Sequence, residues 1–114
     1  MISKTLITAT TRPMVLSILA DGENYGYQII QKIQDLSDGK IRWSTGMLYP
    51  ALHALENDGL LASTWKSVEN APDRKYYRLT EKGLKQLNAE KRQWLHVNSI
   101  FVKLWGPHPE LSFG

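Results

Sequence analysis

The chain has 114 residues, with 14 Lys plus Arg against 11 Asp plus Glu and no Cys. Its 42% apolar and 22% charged residues describe one ordinary globular domain with little chain to spare, neither disordered nor membrane-spanning. The missing Cys excludes disulfides, thiolate zinc sites and thiol nucleophiles, no apolar run nears the roughly 20 residues that cross a bilayer, and Met1–Leu6 lacks a secretory pattern, so a cytoplasmic protein is expected.

Thr11-Arg12-Pro13-Met14 reads as a helix start, with the proline in the first turn. Val15, Leu16, Ile18 and Leu19 follow too densely for a surface helix, which places this one in the core, and Asp21-Gly22 ends it. Asn24 can cap a second helix whose one-sided stripe is Ile29, Ile30, Ile33 and Leu36. Ser37-Asp38-Gly39 closes it, and Ile41 and Trp43 alternate with Lys40 and Arg42 as a brief extended piece. Ser44 is the expected cap of a third helix with Leu48, Ala51, Leu52 and Leu55 inward, stopped by Asn57-Asp58-Gly59. Pro50 falls inside it, so either the regular helix begins nearer Tyr49 or it kinks there. Leu60 to Val68 and Arg74 to Thr80 read as two strands around a turn-rich loop, Glu69 to Asp73. Thr80 then caps a long helix ending near Leu104 or Trp105, and Pro109 to Gly114 is expected to be a loose tail.

The fold class is therefore mainly α with a small β-hairpin. Three short helices, a hairpin and a long helix match a winged helix-turn-helix, whose first use is reading duplex DNA. The expected division is 1–80 as the DNA-binding unit, 81–105 as a C-terminal dimerisation helix and 106–114 as tail.

Charge is unevenly placed. Residues 44–59 carry Glu56 and Asp58 and no cation, whereas the hairpin that follows holds Lys66, Arg74, Lys75 and Arg78. The outward face of the third helix is Thr45, Gly46, Tyr49, His53 and Asn57, with no long charged side chain. A helix entering a major groove needs small residues where its backbone nears phosphate and polar tips for base edges. Free N–H groups at its first turn favour phosphate. Lys66, Arg74 and Lys75 would project from a wing beside that helix and neutralise phosphates without reading sequence. Tyr76 and Tyr77 point to opposite sheet faces, so one packs inward while the other can reach the backbone.

Tyr25-Gly26-Tyr27, Ser44 through Leu52, Leu55-Glu56, Gly59-Leu60-Leu61 and Arg74 through Gly83 resemble the PadR family of bacterial transcriptional regulators over roughly residues 13–105. Met47 departs from the Thr that often follows the motif glycine. The resemblance implies a winged-helix repressor, usually a two-fold dimer on a palindromic operator, with DNA contacts from Ser44, Thr45, Tyr49, Arg74 and Lys75.

Along the last helix Leu87, Trp94 and Phe101 recur every seven residues, Val97 and Leu104 fill the companion seam, and Glu90 is the polar member. Such a seam fits a partner helix, packing back on the first helix, or both at once. Two symmetry-related Trp94 side chains would enclose an apolar, flat-walled space. Similarity to short-tailed PadR members that regulate multidrug efflux pumps implies that Trp94 stacks on planar aromatic compounds there, a flat cation included. Trp105 lies past the seam, as a surface anchor.

No enzymatic reading emerges. His53, His96 and His108 lack metal-ligand spacing, and no paired carboxylate or Gly-rich phosphate loop is present. No metal or cofactor is expected. The expectation is a homodimeric, ligand-responsive DNA-binding repressor, the rival being a winged-helix protein-interaction module that does not bind DNA.

Overall fold

The computed structural model describes residues 1–106, so His108 and all of the expected tail beyond Gly106 lie outside it. Seven elements follow in order: α1 Lys4–Ala20, β1 Asn24–Tyr25, α2 Gly26–Leu36, α3 Thr45–Asn57, β2 Leu61–Lys66, β3 Arg74–Leu79 and α4 Glu81–Trp105. The mainly helical winged fold expected from the element order is what forms.

α1 starts well before the expected Thr11. Ser3 caps it, its hydroxyl accepting from the Leu6 N–H at 3.2 Å, and Pro13 sits in its interior. Proline there leaves the Ala9 carbonyl without its helical donor, a cost of about 3 kcal/mol in an exposed helix. Val15, Leu16 and Leu19, all buried immediately downstream, offset that cost by packing. Meanwhile the hydroxyls of Thr10, Thr11 and Ser17 donate to the carbonyls of Leu6, Ile7 and Pro13, each at 2.7 Å.

Asn24 does not cap α2. It is buried in a two-residue strand, β1, where it pairs with Tyr77 while Tyr25 pairs with Tyr76. Its Oδ1 accepts from the adjacent Tyr25 N–H at 3.0 Å, and Tyr25 becomes the N-cap of α2 with no side-chain cap bond. The sheet thus has three antiparallel strands in the order β1-β3-β2. The hairpin register sets Leu61 opposite Leu79, Ser63 opposite Tyr77 and Lys66 opposite Arg74. Its strands stop short of the expected Val68 and Thr80, because Asn70 turns the loop at a φ of 62° and Thr80 leaves the ladder to cap α4.

On α2, Ile29 and Ile33 are buried and Ile30 is half-buried, but Leu36, expected on the same stripe, is exposed. Ile41 and Trp43 are buried as their alternation suggests, without joining a ladder. Pro50 neither delays nor breaks α3, which runs from Thr45 under a Ser44 cap. The carbonyl that loses its donor there belongs to exposed Gly46, where water can take it.

α4 begins where Thr80 accepts from the Gly83 N–H at 3.0 Å. Its first turns dock on α1 and the root of the hairpin, burying Gly83 and Leu87. Leu87, expected on the partner-facing seam, is 1% exposed and belongs to the protomer's own core. Packing on α1 takes it first. Glu90 accepts from Arg12 Nε at 3.1 Å, and the same guanidinium lies 3.6 Å from Asp58. From Lys91 to Gly106 every residue of α4 is exposed, and the molecule measures 60 × 28 × 20 Å.

Candidate nucleic-acid interface

The Ser44 hydroxyl accepts from the Met47 N–H at 3.2 Å, fixing the first turn of α3 at the surface with Thr45 and Gly46 exposed beside it. A Cβ at Gly46 would meet nothing nearer than the Ser44 hydroxyl at 3.7 Å. The fold therefore does not require glycine there, whereas close approach by an outside partner would. Farther along the same face Tyr49 is half-buried and His53 exposed, their ring centroids 6.4 Å apart. Leu48, Leu52 and Leu55 hold the opposite face in the core.

The sheet divides the basic residues of the wing. Lys66, Arg74 and Tyr76 share the outer face, where the Tyr25 and Tyr76 rings meet edge-on at 5.3 Å. The Arg74 guanidinium covers the Tyr25 ring at 4.4 Å, and Lys66 pairs with Glu23 while lying 4.9 Å from the Tyr76 ring. Tyr76 is half-buried and Tyr77 is the fully buried one of the pair. Lys75 shares the inner face with Tyr77 and turns toward α3, its ammonium 3.5 Å from Glu56. Of the three expected wing cations, Lys66 and Arg74 stand on one side and Lys75 on the other.

Glu56, Ser63 and Lys75 form a tie between α3 and the wing. The Ser63 hydroxyl bonds to Glu56 and, against some desolvation, holds its carboxyl below the ordinary value together with the Lys75 ammonium. Desolvation pulls Lys75 down, but Tyr77 and Glu56 outweigh it and leave the ammonium raised. Burial pushes the Tyr77 phenol up. A depressed carboxylate contributes stability that is present above its unfolded pKa and lost as pH falls through the folded one. A raised ammonium contributes stability that is present below its unfolded pKa and lost as pH rises through the folded one. Glu56→Gln is therefore expected to flatten the loss of stability below about pH 4.5, as read from urea midpoints at a series of acid pH values.

Between α3, the wing and the start of α2 lies a cleft of about 540 Å³, lined by Tyr25, Gly26, Tyr27, Tyr49, His53, Trp65, Pro72, Asp73, Arg74, Lys75 and Tyr77. Sequence reasoning missed Trp65 and Tyr77 as lining residues and assigned no role to Tyr25-Gly26-Tyr27. The signal was there in the glycine between two tyrosines: a Cβ at Gly26 would collide with the Tyr49 hydroxyl and ring. A second cavity, about 520 Å³ and nearly all apolar, runs between α1, α2 and α4, its lining including Met14, Ile33, Leu36, Trp94 and Leu95. Val97, Phe101 and Leu104 continue the exposed seam of α4, with Phe101 stacked on Trp105 at 4.5 Å. Among the described residues no three His, Asp or Glu gather to hold a metal ion, and no helix is long and apolar enough to cross a membrane.

A family model described as transcriptional regulator PadR-like matches residues 15–89. The transcriptional regulator Rv3488 of Mycobacterium tuberculosis is 39% identical over 84 residues, which cover 74% of this chain and 75% of the relative. Among solved structures, a transcriptional regulator from Clostridium thermocellum aligns with a TM-score of 0.81 at 29% identity, covering 90% of this chain and 97% of that one. A PadR family transcriptional regulator from Eggerthella lenta aligns with a TM-score of 0.75 at 35% identity, covering 90% and 87%.

Proposed function

Because the chain belongs to the PadR-like family of transcriptional regulators, DNA-binding proteins rather than enzymes, we propose that it acts in the cytoplasm as a homodimeric repressor on a palindromic operator. The observation that carries this reading is the pairing of an uncharged, exposed helix face with a cationic wing. Thr45, Gly46, Tyr49 and His53 enter the major groove and read base edges, with Ser44 at the phosphate beside them. Lys66, Arg74, Lys75 and Tyr76 hold the backbone. Residues 1–80 form the reading unit, and residues 81–105 pair two copies through Trp94, Val97, Phe101 and Leu104. Recognition helices one turn apart, about 34 Å, then meet two half-sites.

A salt titration tests the DNA reading against a protein-docking module of the same fold. Affinity for duplex is expected to fall linearly on a log–log plot against salt, and Arg74→Ala to weaken specific and random duplexes alike while reducing the slope by about one. Thr45→Ala is expected to change preference among sequences at nearly constant slope. Affinity that ignores salt would overturn the assignment.

Trp94 favours a second layer to the function. It forms a wall of the apolar cavity between α1, α2 and α4, and in a dimer two copies would face each other. A planar aromatic effector stacked there would release the operator by favouring one angle between the two long helices. Saturating planar aromatic compounds should quench the Trp94 signal and lower operator affinity together; no change in either rejects the effector.

A further inference from the structure

α3 ends at its C-cap, Asp58, and α4 reaches that end at two points. From the first turn of α4, Lys82 Nζ donates to the Asp58 carbonyl at 2.8 Å. About 12 Å farther along the axis, at about 1.5 Å per residue, Glu90 accepts from Arg12 Nε at 3.1 Å, and Arg12 Nη1 lies 3.6 Å from the Asp58 carboxylate. One guanidinium of α1 thus bridges α3 and α4.

The two arms of the bridge are unequal. Glu90 is largely buried and its Oε2 has no partner among the described residues, so its charge depends on Arg12 and the two move together. The Asp58 carboxylate is exposed, and an exposed pair changes an equilibrium by about fivefold at most. A firm hold on α4 and a yielding one on α3 suit transmission better than stability. Both holds adjoin the apolar cavity in sequence: Thr10, Pro13 and Met14 line it on either side of Arg12, and Lys91 and Trp94 follow Glu90. Pro13 also breaks the hydrogen-bond ladder of α1 beside Arg12.

We propose that Arg12 is a positioning residue that carries occupancy of the Trp94 cavity to the recognition helix. An aromatic effector shifts Glu90 with its stretch of α4, the guanidinium follows, and the changed pull on Asp58 re-aims Thr45, Tyr49 and His53 while Lys82 serves as pivot. The Arg12–Asp58 contact is therefore stronger in one of the two states, empty or occupied, as linkage requires. This route rests on the effector reading above and acts within each copy, beside the change of angle between copies.

The test uses the full chain, a duplex it enriches from a random-sequence pool, and 1-anilinonaphthalene-8-sulfonate as probe. The probe is an aromatic anion that DNA repels, that brightens in apolar surroundings, and that suits Lys91, the one charged side chain of the cavity lining. Gel shifts with and without saturating probe give the factor by which it weakens duplex binding. Asp58→Ala, at an exposed position that leaves the Arg12–Glu90 pair intact, is expected to lower that factor about three- to fivefold, or to abolish it where it is smaller, with probe affinity unchanged. Arg12→Lys, which keeps the charge but not the two-armed fork, should act in the same direction. A merely structural role would shift duplex affinity equally with and without probe. That result, or wild-type factors in both variants, would overturn the relay and leave the effector reading standing. A wild type whose duplex affinity ignores the probe removes the effector switch and the relay with it.

Discussion

Gly83→Ala is expected to lower stability by about 3 kcal/mol, against the usual gain of about 1 kcal/mol for that exchange inside a helix. Gly83 is buried where α4 leaves the hairpin, and a Cβ there would overlap the Leu60 carbonyl oxygen and come within 2.8 Å of Leu79. The same carbonyl accepts from both the N–H and the hydroxyl of Thr80 at 3.0 Å. Backbone cannot step aside as a flexible side chain could. α4 would have to lift from the sheet, loosening the Thr80 cap and drawing Leu87 out of the core. In a domain this small the loss corresponds to a melting temperature lower by roughly 10–20 °C, which thermal unfolding followed by circular dichroism reads directly. Gly46→Ala is the matched control, since the new methyl would make only an ordinary contact with the Ser44 hydroxyl at 3.7 Å. It should melt at or slightly above wild type while weakening DNA binding. A Gly83→Ala protein as stable as wild type would refute the docking described for α4.

The second large effect concerns the exposed half of α4. Trp94→Asp with Phe101→Asp places two carboxylates on the apolar seam, at side chains 42% and 40% exposed in the single protomer. Truncating a central aromatic anchor of an interface typically costs 2–4 kcal/mol, and two buried charges cost more. The double variant is expected to sediment as a folded monomer at micromolar concentration and to bind an operator duplex at least 100-fold more weakly, because two reading units no longer engage together. A variant that still sediments as a dimer, or a wild type that is monomeric, would overturn the assembly.

Features of this fold with local causes were legible in the sequence. Ser44 and Thr80 were recognisable as caps because a hydroxyl before an apolar-periodic run satisfies orphan N–H groups whatever surrounds it. The inward leucines of α3 follow from helical spacing. Pro13 misled for the opposite reason: its penalty is local, but the packing of Val15, Leu16 and Leu19 that offsets it is tertiary. β1 could not be seen at all, since two residues carry no periodicity and their pairing with Tyr76 and Tyr77 spans half the chain. The outward face of α3 was readable, but the cleft beside it was not. Tyr25, Trp65 and Tyr77 come from three different strands, and only the sheet brings them to one place. Leu87 fell on the heptad seam by spacing alone, because periodicity does not say which of two neighbours a side chain meets first.

The projecting half of α4 has a mechanical consequence for the proposed dimer. The whole helix, 25 residues, makes a rod about 37 Å long, at about 1.5 Å per residue. Held firmly at the Thr80 end and gripped by its twin at the other, the rod is a lever. A swing of about 5° carries its tip through about 3 Å, close to the roughly 3.4 Å that separates successive nucleotides on a strand. A wedge no thicker than one aromatic ring could thus set two copies out of step with the pitch of the double helix while each keeps its own shape.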